Sequence, residues 1–155
     1  MKITADRIEK VVGLYRPGLR YLRDAWMDYP TGRGLFSVEA TEYTEGVNHL
    51  TEVGAQICVN QWGQAFFATQ VDSGRFGGFE GMNFDDFLGD IKERVVIAES
   101  RKRLKRGIDL TVPFYGNFEV VEKRKLGKNY LFGLDFSLND GAAVGELLVV
   151  LKGRQ

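Results

Sequence analysis

Apolar residues in the stretch 47–69, VNHLTEVGAQICVNQWGQAFFAT, fall on nearly every side of a helical wheel. Leu50, Val53, Ala55, Ile57, Cys58, Val59, Trp62, Ala65, Phe66 and Phe67 leave no face for water, and no Lys, Arg or Asp interrupts them. The pattern predicts one long helix buried on most sides. Upstream, 4–14 has the opposite character: Ile8, Val11, Val12 and Tyr15 make a single apolar face behind a candidate N-cap, Thr4. That short amphipathic helix stops at Arg16-Pro17-Gly18. Stretches 19–27 and 35–43 alternate at period two, which predicts strands, with Tyr29-Pro30-Thr31-Gly32 turning the chain between them.

After the long helix the periodicity fails. Residues 70–89 are rich in Gly, Phe and Asp, and only 83–87 reads as a short helix, capped by Asn83. Phe76, Phe79, Met82, Phe84 and Phe87 are too many apolar side chains to leave in water, so they are predicted to form a flap over a pocket or a contact with a second subunit. Strand patterns then follow over 94–103, 108–115 (interrupted at Pro113), 118–124, 129–138 and 142–151, with turns at 125–128 and Asn139-Asp140-Gly141. One buried helix followed by a long antiparallel meander is what a sheet wrapped around a helix produces. This is the hot-dog fold, an α+β class, although periodicity alone leaves it as one α+β option among several. No linker or internal repeat divides the chain, so 1–155 reads as a single domain.

Charge narrows the function classes: 21 basic and 21 acidic residues cancel, which argues against nucleic acid as a partner. The one cysteine, Cys58, falls in the most apolar part of the helix and reads as a small core residue. The charged N-terminus does not resemble a signal peptide and no apolar run reaches membrane-spanning length, which points to the cytoplasm. One His, one Cys and scattered carboxylates make no metal constellation, and no metal is expected.

The chemistry is carried by polar residues without charge. Gln56, Asn60 and Gln64 recur at i, i+4 and i+8 and form one stripe on the buried helix. Buried amides need partners, so the stripe either bonds to neighbouring strands or faces a ligand cavity. His49 lies at or just before the helix N-terminus, where Asn48 or Thr51 is the candidate N-cap and Glu52 suits the dipole. Backbone N–H groups there would polarise a carbonyl. The basic run Arg101-Lys102-Arg103-Leu104-Lys105-Arg106 is either a solvated strand end or a contact for coenzyme A phosphates or an acidic carrier protein, with Arg101 and Arg103 as the forks.

Tyr15, the element Arg20-Tyr21-Leu22 with Asp24-Ala25, Tyr43, His49 and the run Cys58-Val59-Asn60-Gln61 follow one another in an order that resembles the FcoT-type family of hot-dog acyl-thioester enzymes. In that family an RYL-x-DA element, a tyrosine before the helix, a GHF-like turn and a CFNQ run occur at similar spacing. The likeness is specific up to Phe67, and beyond it rests on the basic run and the strand pattern.

The resemblance implies an enzyme acting on long-chain acyl or enoyl thioesters of coenzyme A or an acyl carrier protein. Coenzyme A or phosphopantetheine then belongs to the substrate and no separate cofactor is expected. Family members include fatty acyl-CoA thioesterases and enzymes that add glycine to an enoyl-carrier thioester. The family's site tyrosines and asparagine match Tyr15, Tyr43 and Asn60, with His49 available as a base. Two positions depart: a family asparagine after the histidine is Thr51 here, and a helix tyrosine is Gln64. Gln56, Gln64 and Thr51 are the candidate substrate contacts. Hot-dog chains usually pair, so a homo-oligomer, a dimer or an assembly of dimers, is expected to cover the exposed sheet edge.

Two other classes stay open. A hot-dog 3-hydroxyacyl-thioester dehydratase uses a histidine before the helix and a carboxylate within it, but the second position here is Asn60, which cannot exchange a proton at neutral pH. Glu39, Glu42 or Glu52 would have to replace it. A non-catalytic binding protein for acyl chains or aromatic ligands would also use the amide stripe.

Overall fold

The computed structural model describes residues 1–39 and 48–154. Thr4 accepts the Arg7 backbone N–H and starts α1 (Ala5–Val12), which buries Ile8, Val11 and Val12 as its pattern requires. A single 3-10 turn, Pro17–Leu19, precedes β1 (Leu22–Asp28), which then turns into β2 (Thr31–Phe36). Both strands differ in extent from the alternation of the sequence. The proline holds the chain in a turn before β1, and β2 begins early because Thr31 and Gly32 already pair with Asp28 and Met27. The rest of the stretch 35–43 beyond residue 39 lies outside the described residues.

The long helix, α2 (Glu52–Asp72), begins later than its apolar pattern and runs farther. Thr51 is the N-cap, accepting the Gly54 N–H at 3.0 Å. Residues 48–50 stay extended because their backbone is paired elsewhere: Leu50 donates to Ile108 O and Leu110 donates to Asn48 O. This pairing is all the extended structure that 108–113 forms, since the strand after Pro113 starts at Phe114.

The Phe-rich segment is structural. Phe76, Phe79, Met82, Phe84 and Phe87 are all buried, with Phe76 against Tyr29, Tyr130 and Phe132, and Phe79 against Phe87. These rings close the chain's own core, so neither a flap nor a subunit contact is needed to shelter them. The expected short helix, α3 (Phe84–Gly89), carries a complete capping box between Asn83 and Asp86. Asn83→Ala is expected to cost about 1 kcal/mol, read as a lower urea midpoint at unchanged slope; an unmoved midpoint would show that the cap contributes nothing.

After α4 (Ile91–Arg94) come β3 (Val95–Leu104), β4 (Phe114–Leu126), β5 (Asn129–Leu138) and β6 (Ala143–Leu151). The strands form one antiparallel sheet in the order β1-β2-β4-β5-β6-β3. β5 and β6 turn on Asn139, Asp140 and Gly141, all at positive φ, as the hairpin signal requires. β4 shows how the sheet is divided: Phe114, Gly116, Phe118 and Val120 are buried, while Tyr115, Asn117 and Glu119 alternate outward. The inward face receives α2. Trp62 stacks on Phe118 with ring centroids 3.9 Å apart, and Phe67 meets Phe132 at 5.2 Å. Gly32 lets the indole lie against β2, because a Cβ there would collide with the Trp62 ring. This is the hot-dog architecture, a sheet holding one long helix. Among the described residues no helix is long and apolar enough to cross a membrane.

The two sheet edges differ. Along β1 the first residues of the chain pair with the strand, through Ile3 N–H to Ala25 O and Met27 N–H to Met1 O. β3 has no strand partner on its outer side among the described residues, and Val96, Ile97 and Leu104 are exposed along it.

Candidate active site

A cavity of about 150 Å³ lies between the middle of α2 and the sheet. Val59 and Phe67 from the helix and Leu134, Phe136, Leu147 and Val149 from β5 and β6 make its walls. Asn60, Gln64 and Lys92 bring polar or charged ends to this largely apolar space. Gly63 opens it: a Cβ built there meets nothing within 4 Å.

The amide stripe is divided along the helix, one end bonded to a strand and the other lining the cavity. Gln56 is tied to β3, its Oε1 accepting from Ser100 Oγ at 2.8 Å and from Lys102 Nζ at 2.6 Å. Its Nε2 donates to Asn60 Oδ1 at 2.7 Å. Asn60 and Gln64 line the cavity. The Tyr15 hydroxyl donates to Gln64 Oε1 at 3.0 Å, so a residue just past the end of α1 reaches the stripe. Burial pushes the Tyr15 phenol above its ordinary range, with the Gln64 bond opposing, which keeps it an O–H donor at neutral pH.

Other candidates are placed elsewhere. Tyr43 lies outside the described residues. His49 is exposed, its backbone bridged to Asp109, and it does not line the cavity. Helix α2 starts at Glu52, so Asn60 lies about 12 Å further along its axis. The cavity is therefore not at the helix N-terminus, and the N–H groups beside it are spent in the helix; a donor at this depth has to be a side chain. Thr51 uses its hydroxyl as the cap. Arg101 pairs with Glu99 at 2.7 Å and Glu146 at 3.9 Å on the outward side of β3, and Arg103 projects from that side too.

Three residues escaped the sequence reading. Lys102 belongs to the basic run but turns inward, its side chain 9% exposed. Period-two alternation between Arg101 and Arg103 carries that signal. Gln61, fully buried, accepts the Tyr21 and Leu22 N–H groups and donates to Leu19 O, fixing the start of β1 to the helix. Gly63 had no signal beyond being a glycine in a helix.

A hot-dog domain with amides facing an apolar cavity fits a protein that handles acyl thioesters. Residues 10–150 match the family model described as the FcoT-like thioesterase domain, and the chain belongs to that family. It is 28% identical over 116 residues to a protein of Streptomyces coeruleorubidus named (2E)-enoyl-[ACP] glycyltransferase, covering 72% of this chain and 70% of that one. Solved structures give the same fold. A thioesterase superfamily protein from Shewanella loihica has a TM-score of 0.53 at 12% identity, covering 84% of this chain and 90% of that one. A thioesterase variant from Pseudomonas aeruginosa has a TM-score of 0.54 at 9% identity, covering 98% and 96%.

Proposed function

We propose that this chain is an enzyme of acyl thioesters that acts on coenzyme A or carrier-protein substrates, with Asn60 meeting the reacting carbonyl. The observation that carries the reading is an uncharged amide held at the polar end of an apolar cavity in an FcoT-like domain. Water as the nucleophile gives hydrolysis. An amine gives addition to an enoyl thioester, the chemistry suggested by the name of the Streptomyces relative. Among the described residues no carboxylate lines the cavity, which weighs against the dehydratase through Glu39 or Glu52, while Glu42 lies outside the described residues. A space of this size takes a group about as large as benzene, so it seats the acyl carbons nearest the thioester and a longer chain leaves through the opening. The unpaired edge of β3 is the proposed seam of a homodimer, where exposed Val96, Ile97 and Leu104 would be covered.

The test offers acyl-CoA and acyl-carrier thioesters of graded length, saturated and enoyl, with and without glycine. Thiol release scores hydrolysis; a glycine adduct on an intact thioester scores addition. Acyl ligands that bind without either reaction would leave a binding protein instead. Gly63→Leu is expected to fill the cavity and raise KM at least about tenfold for all but the shortest chains, without lowering Tm, since glycine within a helix costs about 1 kcal/mol. An unchanged KM across the series would show that the acyl group binds elsewhere.

A further inference from the structure

We infer that Lys102 is a positioning residue that, through Gln56, fixes Asn60 as a hydrogen-bond donor into the cavity; the inference rests on the thioester reading. The chain of contacts fixes the orientation of each amide. Lys102 Nζ approaches the Gln56 amide at 2.6 Å and Ser100 Oγ at 3.0 Å. An ammonium has donors and no acceptor, so the Gln56 atom facing it must be the oxygen. The Gln56 nitrogen then faces Asn60 at 2.7 Å, and because an NH₂ group only donates, the Asn60 atom it meets must be Oδ1. Asn60 is left with its Nδ2, which has no partner among the described residues, on a side chain that lines the cavity. A positive charge at one end and two amides in series polarise that last N–H. Among the described residues Glu52 is the nearest carboxylate to the ammonium, at 3.9 Å, but its own side chain is 73% exposed and screened by water.

The consequence is a role for Asn60 as electrophile and not as acceptor for the nucleophile's proton. When water bonds to the thioester carbon, the carbonyl electron pair moves onto oxygen and meets the Asn60 N–H. Collapse breaks the C–S bond, and the proton lost by water ends on the departing thiol. When an amine bonds to the β-carbon of an enoyl thioester, the charge reaches the same oxygen as an enolate, and the amine proton ends on the α-carbon.

Gln56→Glu separates this arrangement from simple packing. A carboxylate still pairs with Lys102 but has no N–H for Asn60, so Asn60 turns, donates to Glu and shows its oxygen to the cavity. With a thioester the wild type turns over, kcat is expected to fall about 10²-fold with KM within about twofold and Tm not lowered. The double variant with Asn60→Ala should be no slower than the slower single one. Lys102→Met should lose turnover, and Lys102→Arg, still a pure donor, should keep most of it; this pair carries the test if the Gln56 variant does not fold. Side-chain amide resonances of ¹⁵N-labelled protein need no substrate: those of Gln56 and Asn60 should both move in Lys102→Met and stay in place in Arg103→Met. Unmoved resonances in Lys102→Met, or full kcat in Gln56→Glu while Asn60→Ala is inactive, would overturn the inference and leave the thioester reading intact. Full kcat in Asn60→Ala would take Asn60 out of the chemistry and the inference with it, whereas a wild type that turns over no thioester would remove the thioester reading itself.

Discussion

Asn60→Ala is expected to lower kcat for thioester turnover by about 10²- to 10³-fold, the cost of removing one donor that meets a developing oxyanion. Ligand binding should survive, because the cavity walls proposed to hold the acyl group are Val59, Phe67 and the inward residues of β5 and β6, which the substitution leaves alone. Some stability is lost as well. Gln56 Nε2 now donates to Asn60 Oδ1, and without that acceptor about 1 kcal/mol goes, a few degrees in Tm. Asn60→Asp sharpens the result, since it keeps an acceptor for Gln56 and removes the donor, so it should be as inactive as the alanine variant while nearer the wild type in Tm. The check is kcat and KM by thiol release beside calorimetric titration with an acyl-CoA. Turnover that persists in both variants would take Asn60 out of the chemistry.

The parts of this molecule that were legible in the sequence are those where one residue's pattern decides one backbone. The apolar wheel of α2, the face of α1, the Asn83 cap and the Asn139-Asp140-Gly141 turn all follow from local rules and are found in place. The stripe of Gln56, Asn60 and Gln64 was visible for the same reason, because helical spacing alone puts those side chains in a row. What failed depends on partners distant in sequence. Residues 48–50 belong to the apolar stretch, but pairing with 108–110 holds them extended, so of the two candidate caps it is Thr51 and not Asn48 that starts the helix, at Glu52. That shift leaves His49 on the surface and the cavity deep along α2, where N-terminal backbone donors do not reach. The basic run looked like one feature and is two: Arg101 and Arg103 face outward, and Lys102 turns in to Gln56. The Phe-rich segment is aperiodic because its side chains fill gaps around Tyr29, Tyr130 and Phe132 and follow no repeat of their own.

Gln61→Leu is expected to be the costlier change for the fold, at about 3 to 5 kcal/mol, although it sits beside Asn60 and leaves the cavity lining unaltered. The side chain is fully buried on the face of α2 turned toward β1. Its Oε1 accepts the Tyr21 and Leu22 N–H groups, each at 3.0 Å, and its Nε2 donates to Leu19 O at 2.6 Å. Leucine has a similar volume and can return none of these bonds. Two backbone donors and a carbonyl would lose their Gln61 partner, at roughly 1 to 3 kcal/mol for each group left buried and unpaired. The sum falls below three full penalties because the turn Pro17–Leu19 can shift toward water. The same junction carries Tyr15, whose carbonyl is held by Arg20 Nε at 3.1 Å and whose hydroxyl reaches Gln64. Loosening it should therefore weaken the stripe from the α1 side before it touches Asn60. Urea unfolding at unchanged slope measures the stability, and kcat well below the midpoint should stay within a few-fold of wild type. A loss under about 1 kcal/mol would mean that water replaces the glutamine at all three backbone groups, and that β1 is held to α2 by packing alone.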